Sequence, residues 1–389
     1  MKAISNTPPT EMNAAPTRAS LLASARTVVV KIGTGVLTAK SGGIDRAVLD
    51  SIADEIVALT AGEPTRRVLV VSSGAIALGV EQLGLDARPK RMDMLQACAA
   101  AGQGHLIRLW SEACARRSRV VAQVLLTHSD LADRQRYLNA RGALDALVSR
   151  VAVPVINEND TVSVDEIAFG DNDSLSAQVA NLVKADLLVM LSVAPGLLDD
   201  AGVRVPFVGA GDRTVDRFIR SETSAGGKGG MVTKVRAARA AASAGASAVI
   251  APGREPGVLS KLFAGDDIGT LFAPDPEPKS SRAHWIAHTL RPRGTLVVDE
   301  GARKAIIDSK RSLLPSGVRL VRGTFRRGDP VDIADTKGAV FARGLATYSS
   351  SELERLRGHN TREITEVLGH NLGDEAVHKD HLVILASGS

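Results

Sequence analysis

Aromatic residues are scarce in this chain, at 3% of 389 positions. Its core must therefore be assembled from Ala, Val, Leu and Ile, a mix that suits closely packed parallel strands and helices. Cysteine is equally sparse. The two thiols, Cys98 and Cys114, have no CxxC partner and no histidine beside them, which excludes a disulfide framework and a thiolate metal site. They read as small buried hydrophobes in a reducing compartment, so a cytoplasmic location is expected. No run approaches the roughly eighteen uninterrupted apolar residues needed to cross a bilayer, so no membrane partner is expected.

What is present is length and aliphatic surface. With 44% hydrophobic residues over 389 positions, the chain outgrows one ordinary core and should divide into two domains. Residues 1–26 are rich in Ser, Thr, Pro and Ala and show no helical or strand period, which predicts a disordered N-terminal extension. They lack the continuous apolar segment of a secretory signal.

From Thr27 a strand, a Gly-rich turn and a helix recur. Apolar runs at 27–30, 68–71, 120–126, 151–156, 187–191 and 246–251 alternate with helix-like stretches. Continuous β-branched runs between amphipathic helices predict an α/β fold, a mainly parallel sheet sandwiched between helices, over residues 27–273. Ligands of such sheets bind beyond the carboxyl ends of the strands. A Pro-rich linker is expected over 274–290, followed by a small β-rich barrel domain over 291–389 with short strands near 295–298, 318–321, 331–334 and 340–342.

Polar residues gather where the strands end. Lys31-Ile32-Gly33-Thr34-Gly35 follows the first strand; it matches neither the P-loop nor the dinucleotide fingerprint, but backbone N–H groups and a lysine there suit phosphate. Ser72-Ser73-Gly74 follows the second, and Ser73 fits either a carboxylate donor or a helix cap. Asn157-Glu158-Asn159-Asp160 ends a fully apolar strand, and polar residues so placed need a ligand or a dense hydrogen-bond network. Gly170-Asp171-Asn172-Asp173 precedes another helix. Gly226-Gly227-Lys228-Gly229-Gly230-Met231-Val232-Thr233-Lys234 is a glycine-rich loop that enters a helix with a lysine near each end.

Taken in order, these motifs resemble those of the glutamate 5-kinases, of the amino acid kinase fold, from about Thr27 to the C-terminus. The tail, with Leu313-Leu314-Pro315-Ser316-Gly317 and Gly323-Thr324-Phe325-Arg326-Arg327-Gly328-Asp329, resembles a PUA domain. The resemblance implies ATP-dependent phosphorylation of the γ-carboxylate of L-glutamate, the first step of proline synthesis. It implies Lys31, Asp173 and Lys234 as catalytic residues, and Ser73, Asp160 and Asn172 as glutamate-binding residues. It implies Lys31, Gly33, Ser192, Val193, Lys228, Gly229, Gly230, Met231, Val232, Thr233 and Lys234 around ATP. Mg²⁺ would accompany the phosphates without a metal site of the protein's own. Proline as feedback inhibitor, a homo-oligomer (dimer or tetramer) and a glutamate-semialdehyde dehydrogenase partner are further implications.

The pattern departs in several places. Val193 stands where the family's Thr/Ser-Asp pair has aspartate, the segment after it is short, Leu198 occupies a position usually held by Tyr, and Gly35 replaces a more usual Ser. Two other readings compete. Another amino acid kinase, acting on aspartate, acetylglutamate, carbamate or UMP, is disfavoured by the tail and by the Ile-Asn-Glu-Asn-Asp motif. A catalytically weak RNA-binding regulator would use the fourteen Lys and Arg against six Asp and Glu of residues 279–343. Stacking aromatics are few there, so RNA is not expected as a partner.

Overall fold

The computed structural model describes residues 17–39, 43–62, 65–162, 172–219, 230–276, 283 and 285–385. The chain opens with α1 (Arg18–Ser24), β1 (Thr27–Ile32), α2 (Thr34–Leu37), α3 (Arg46–Ala61), β2 (Arg67–Ser72), α4 (Ala75–Gln82), α5 (Met92–Ala115) and β3 (Val121–Leu126). It continues through α6 (His128–Ala132), α7 (Arg134–Ser149), β4 (Val153–Glu158), α8 (Asn172–Leu182), β5 (Leu187–Ser192), β6 (Phe207–Val208) and α9 (Asp216–Ile219). The unit closes with α10 (Met231–Ser243), β7 (Ser247–Pro252), α11 (Val258–Ala264) and β8 (Thr270–Phe272).

These strands form one sheet in the order β3-β4-β2-β1-β5-β7-β8-β6. Every pairing is parallel except β7 with β8, so the expected mainly parallel α/β sheet is found. The chain runs outward from β1 to β2 on one side and later resumes at β5 on the other, which makes the carboxyl end of β1 a topological switch point.

Side-chain alternation along β1 then decides what meets what. Val28, Val30 and Ile32 enter the core cluster shared with α3, α5 and α11. Val29 enters the opposite cluster, built with α8 and α10. By the same period of two, Lys31 emerges on the α8–α10 side. In α10, Ala237, Ala238 and Ala241 are buried there, and their small size lets the helix lie close to the sheet.

On the other side α4 and α5 cross in close contact. A methyl group on Gly79 would collide with the carbonyl oxygen of Cys98, and one on Gly102 with that of Ala75. Cys98 is buried at this crossing and Cys114 is buried in the last turn of α5, where burial pushes its thiol up to about 11. Such thiols are unreactive packing groups.

Two stretches expected to be unstructured are ordered. Residues 18–24, placed in the disordered extension, form α1: Thr17 caps it by accepting from the Ser20 N–H, and Leu22 is fully buried in the main core. Seven residues are too few to show a period, and packing rather than propensity supplies the helix. Residues 1–16 lie outside the described residues.

The linker's second half is also packed. Trp285–Thr289 form a π-helical turn, Trp285 Nε1 donates to the Leu131 carbonyl at 2.8 Å, and Ile286 and Leu290 are buried with Val383 and Leu385.

The second unit has β9 (Gly294–Val298), α12 (Glu300–Ile307), β10 (Val318–Gly323), β11 (Pro330–Ala334), β12 (Val340–Leu345), α13 (Ser350–Leu356), α14 (Ile364–Leu368) and β13 (Leu382–Ile384). Its sheet runs β10-β9-β11-β12-β13 around its own core of Leu296, Val331, Ile333, Ala342 and Tyr348. Arg343 ties it to the joint, donating to the carbonyls of Ala287 and Leu290. Among the described residues no helix is long and apolar enough to cross a membrane.

The crossing predicts a contrast within one helix. Gly102→Ala drives a methyl into backbone and should cost about 2 kcal/mol or more. Gly104→Ala, where nothing lies within 4 Å, should be neutral or stabilising by up to about 1 kcal/mol. Urea denaturation of the two variants measures both.

Candidate active site

The carboxyl edge of the sheet collects the polar turns. Lys31, near the end of β1, is buried; so is Asp173, in the first turn of α8; so is Lys234, in the first turn of α10. Lys31 Nζ lies 2.6 Å from Asp173 Oδ1, and Lys234 Nζ lies 3.2 Å from Oδ2. Thr233 Oγ1 donates to the same Oδ2 at 2.7 Å. One carboxylate thus holds two ammonium groups that would otherwise repel each other.

Burial pushes the Asp173 carboxyl upward, but the charges of Lys31 and Lys234 and the hydrogen bonds from Lys31 and Thr233 outweigh it. Its pKa is held below the ordinary carboxylate value.

A chain of amides adjoins this centre. Asn172 Nδ2 donates to Ser73 Oγ at 2.7 Å and to Asn157 Oδ1 at 3.0 Å, while Asn157 Nδ2 donates to Gln103 Oε1 at 2.9 Å. Alternation along β4 turns Asn157 toward α5, where Gln103 lies. Asp160 is half-buried two residues past the end of β4. Of the residues expected to bind glutamate, Ser73 and Asn172 are in direct contact. Gln103 and Asn157 belong to the same network and were missed as site residues. Asn157 had a signal, because it ends an apolar strand; Gln103 had none, since its spacing is that of a core position.

Backbone donors surround the centre. The N–H of Gly33, expected near phosphate, is already bonded to the Leu191 carbonyl at 3.2 Å, because the sheet pairing of β1 with β5 runs one residue further than the strand's apolar run. The amides that open α2 lie at Thr34 and Gly35. A methyl at Gly33 would sit in ordinary contact, 3.7 Å from Lys31 Nζ. Gly74, at φ +119°, caps α4, and Gly230 caps α10; neither helix has a side-chain cap. Uncapped helix N-termini present N–H groups and a positive dipole end to anions.

Of the other residues expected around ATP, Met231 is buried, Val232 is half-buried, and Thr233 bonds Asp173 as above. Lys228 and Gly229 lie outside the described residues. Ser192 Oγ accepts from the Ala194 N–H at 3.4 Å, and Val193 is 68% exposed. Gly35 and Val193 face each other: a methyl on Gly35 would come within 3.2 Å of Val193 Cγ1.

Removing the shared charge gives a test. Asp173→Asn leaves buried ammonium groups without their carboxylate and should cost about 3–5 kcal/mol at pH 7. Because the folded-state pKa is depressed, the carboxylate's contribution is fully present above the ordinary value near 3.8 and is lost as pH falls through the lower one. Urea denaturation should therefore show the gap between wild type and variant closing as pH drops below about 4.

Known sequences place the chain. The profile of the Amino acid kinase family matches residues 26–252, and that of the PUA domain matches residues 294–368. The Glutamate 5-kinase of Myxococcus xanthus is 51% identical over 380 residues, covering 96% of this chain and 100% of that protein. The Glutamate 5-kinase of Geobacter sulfurreducens is 46% identical over 375 residues, covering 95% and 100%. That of Stutzerimonas stutzeri is 47% identical over 370 residues, covering 94% and 99%. With such identity running through both domains, the chain belongs to the glutamate 5-kinases of the amino acid kinase family.

Proposed function

We propose that the Lys31–Asp173–Lys234 centre transfers the γ-phosphoryl group of ATP to the γ-carboxylate of L-glutamate bound beside Ser73, Asp160 and Asn172. The products are ADP and L-glutamyl 5-phosphate, the first intermediate of proline synthesis. The observation that carries this reading is the pair of buried ammonium groups held on one carboxylate at the edge where the strands end.

The chemistry asks little of acid–base catalysis. The γ-carboxyl of free glutamate, with a pKa of about 4.3, is already ionised at neutral pH. The obstacle is charge: an anion must approach the polyanionic end of ATP. Lys31 and Lys234 neutralise the transferred group and align it, and Asp173 keeps them apart and oriented. A carboxylate oxygen bonds the γ-phosphorus as the bond to ADP breaks, and no proton need move. Amides at the starts of α4 and α10 receive phosphate oxygens. Ser73 donates to a substrate carboxylate, and Asp160 meets the α-ammonium.

Magnesium has no evident protein cage. Among the described residues no three metal-ligating side chains cluster, and both Asp173 oxygens face lysines. The cation would enter as the ATP complex, held by phosphate oxygens and water.

Proline, which shares the α-carboxylate and ammonium of glutamate, would compete at the amino acid pocket as a feedback inhibitor. The acyl phosphate hydrolyses readily, which favours handing it to a glutamate-semialdehyde dehydrogenase. Assembly into a dimer or tetramer is the remaining expectation of the family.

The test is ADP release with L-glutamate, ATP and Mg²⁺, with hydroxylamine trapping the acyl phosphate. Turnover should require glutamate and fall about 10³-fold in Lys234→Ala. A Lys234→Ala enzyme within a few-fold of wild type would remove that lysine from the chemistry.

A further inference from the structure

Gln103 takes no part in the phosphoryl-transfer chemistry, yet its position is difficult to explain as packing. It lies on the buried stripe of α5 with Leu106, Trp110 and Ala113, where the neighbouring positions are apolar. Its amide is only half satisfied. Oε1 accepts from Asn157, but Nε2 is buried and has no partner. A buried donor without an acceptor is destabilising, and such groups in a folded protein call for a reason.

The amides of this network orient one another. Asn172 spends both Nδ2 protons on Ser73 and Asn157, so Asn157 must present Oδ1 to it and Nδ2 to Gln103, which must present Oε1 in turn. Reversing Asn157 or Gln103 alone would set donor against donor, and reversing Asn172 alone would set acceptor against acceptor. Two polar atoms remain over: the Nε2 donor of Gln103 and the Oδ1 acceptor of Asn172, both buried and unpartnered. A donor suits a carboxylate and an acceptor suits an ammonium, the two α substituents of a free amino acid.

The order along the network also sets direction. Asn172 adjoins Asp173, which holds the phosphoryl lysines, and Gln103 stands two amides further from that centre. The glycine crossing of α4 and α5 delivers it there, since Gly102 beside it packs on the first turn of the helix that follows Ser73.

We infer that Gln103 is a glutamate-binding residue whose Nε2 donates to the α-carboxylate of the substrate while its Oε1 fixes Asn157. This rests on the reading that Ser73 and Asn172 bind glutamate.

Steady-state kinetics of Gln103→Glu and Gln103→Met test it. Glutamate at 103 keeps the acceptor for Asn157 and sets an anion against the α-carboxylate. It should raise the KM for glutamate about tenfold or more while the KM for ATP stays within about twofold. Methionine removes the donor and also the acceptor of Asn157, so it should raise the glutamate KM with a melting temperature below that of wild type. Gln103→Glu should also narrow the preference for glutamate over its α-amide, L-isoglutamine, because the amide N–H₂ can donate to the new carboxylate. An unchanged glutamate KM in both variants, or equal rises in the KM for glutamate and for ATP, overturns the inference. Ser73→Ala and Asn172→Ala, measured alongside, separate the two levels. If they raise the glutamate KM and the Gln103 variants do not, Gln103 alone is misassigned; if none of the four does, the glutamate pocket itself lies elsewhere.

Discussion

Two lysine ammonium groups cannot be buried side by side unless an anion joins them. Asp173 supplies that anion, with Lys31 at 2.6 Å and Lys234 at 3.2 Å. Much of the surrounding architecture serves this contact. The carboxylate has to leave one helix, α8, while its two partners arrive from a strand and a second helix, α10. Those three elements must then pack with little tolerance. The alanines of α10 and the small residues Ser176, Ala177 and Ala180 of α8 provide the closeness. Asp173 thus gathers both lysine side chains at the carboxyl edge of the sheet.

The sheet divides the work between its faces. On the α8–α10 face the alternation of β1 delivers charge; on the α5 face the alternation of β2 and β4 delivers hydrogen bonding. Ser72 accepts from Trp110 Nε1 at 3.0 Å, and Asn157 meets Gln103. The two faces meet only at the carboxyl edge, where Asn172 and Asp173 are consecutive residues of one helix. Consecutive positions on a helix point about 100° apart, so Asp173 can face the two lysines while Asn172 faces Ser73 and Asn157.

Much of this was legible in the sequence, for identifiable reasons. Continuous apolar runs marked the parallel strands, and strands of this kind dictate where a ligand lies, so Lys31, Ser73 and Asn172 could be assigned to one edge before any coordinates. What could not be read was local and small. Helix α1 has seven residues and is held by Leu22 rather than by its own pattern. The π-helical turn at 285–289 follows a Pro-rich stretch that masked it. Gln103 shares its spacing with core residues, so only the unpaired Nε2 distinguishes it. The Gly33 amide went to Leu191 because strand pairing extends past the apolar residues that announce a strand. Each of these depends on a partner distant in the chain, which no local pattern encodes.

The claim that Lys31 and Lys234 act as one unit through Asp173 is tested most directly by a double-mutant cycle. Single-turnover rates of phosphoryl transfer would be measured for Lys31→Ala, Lys234→Ala and the double variant at saturating ATP and glutamate. If the two ammonium groups work jointly on one phosphoryl group, the double variant should be little slower than the worse single variant. Losses that multiply would show the lysines acting independently and would contradict the account.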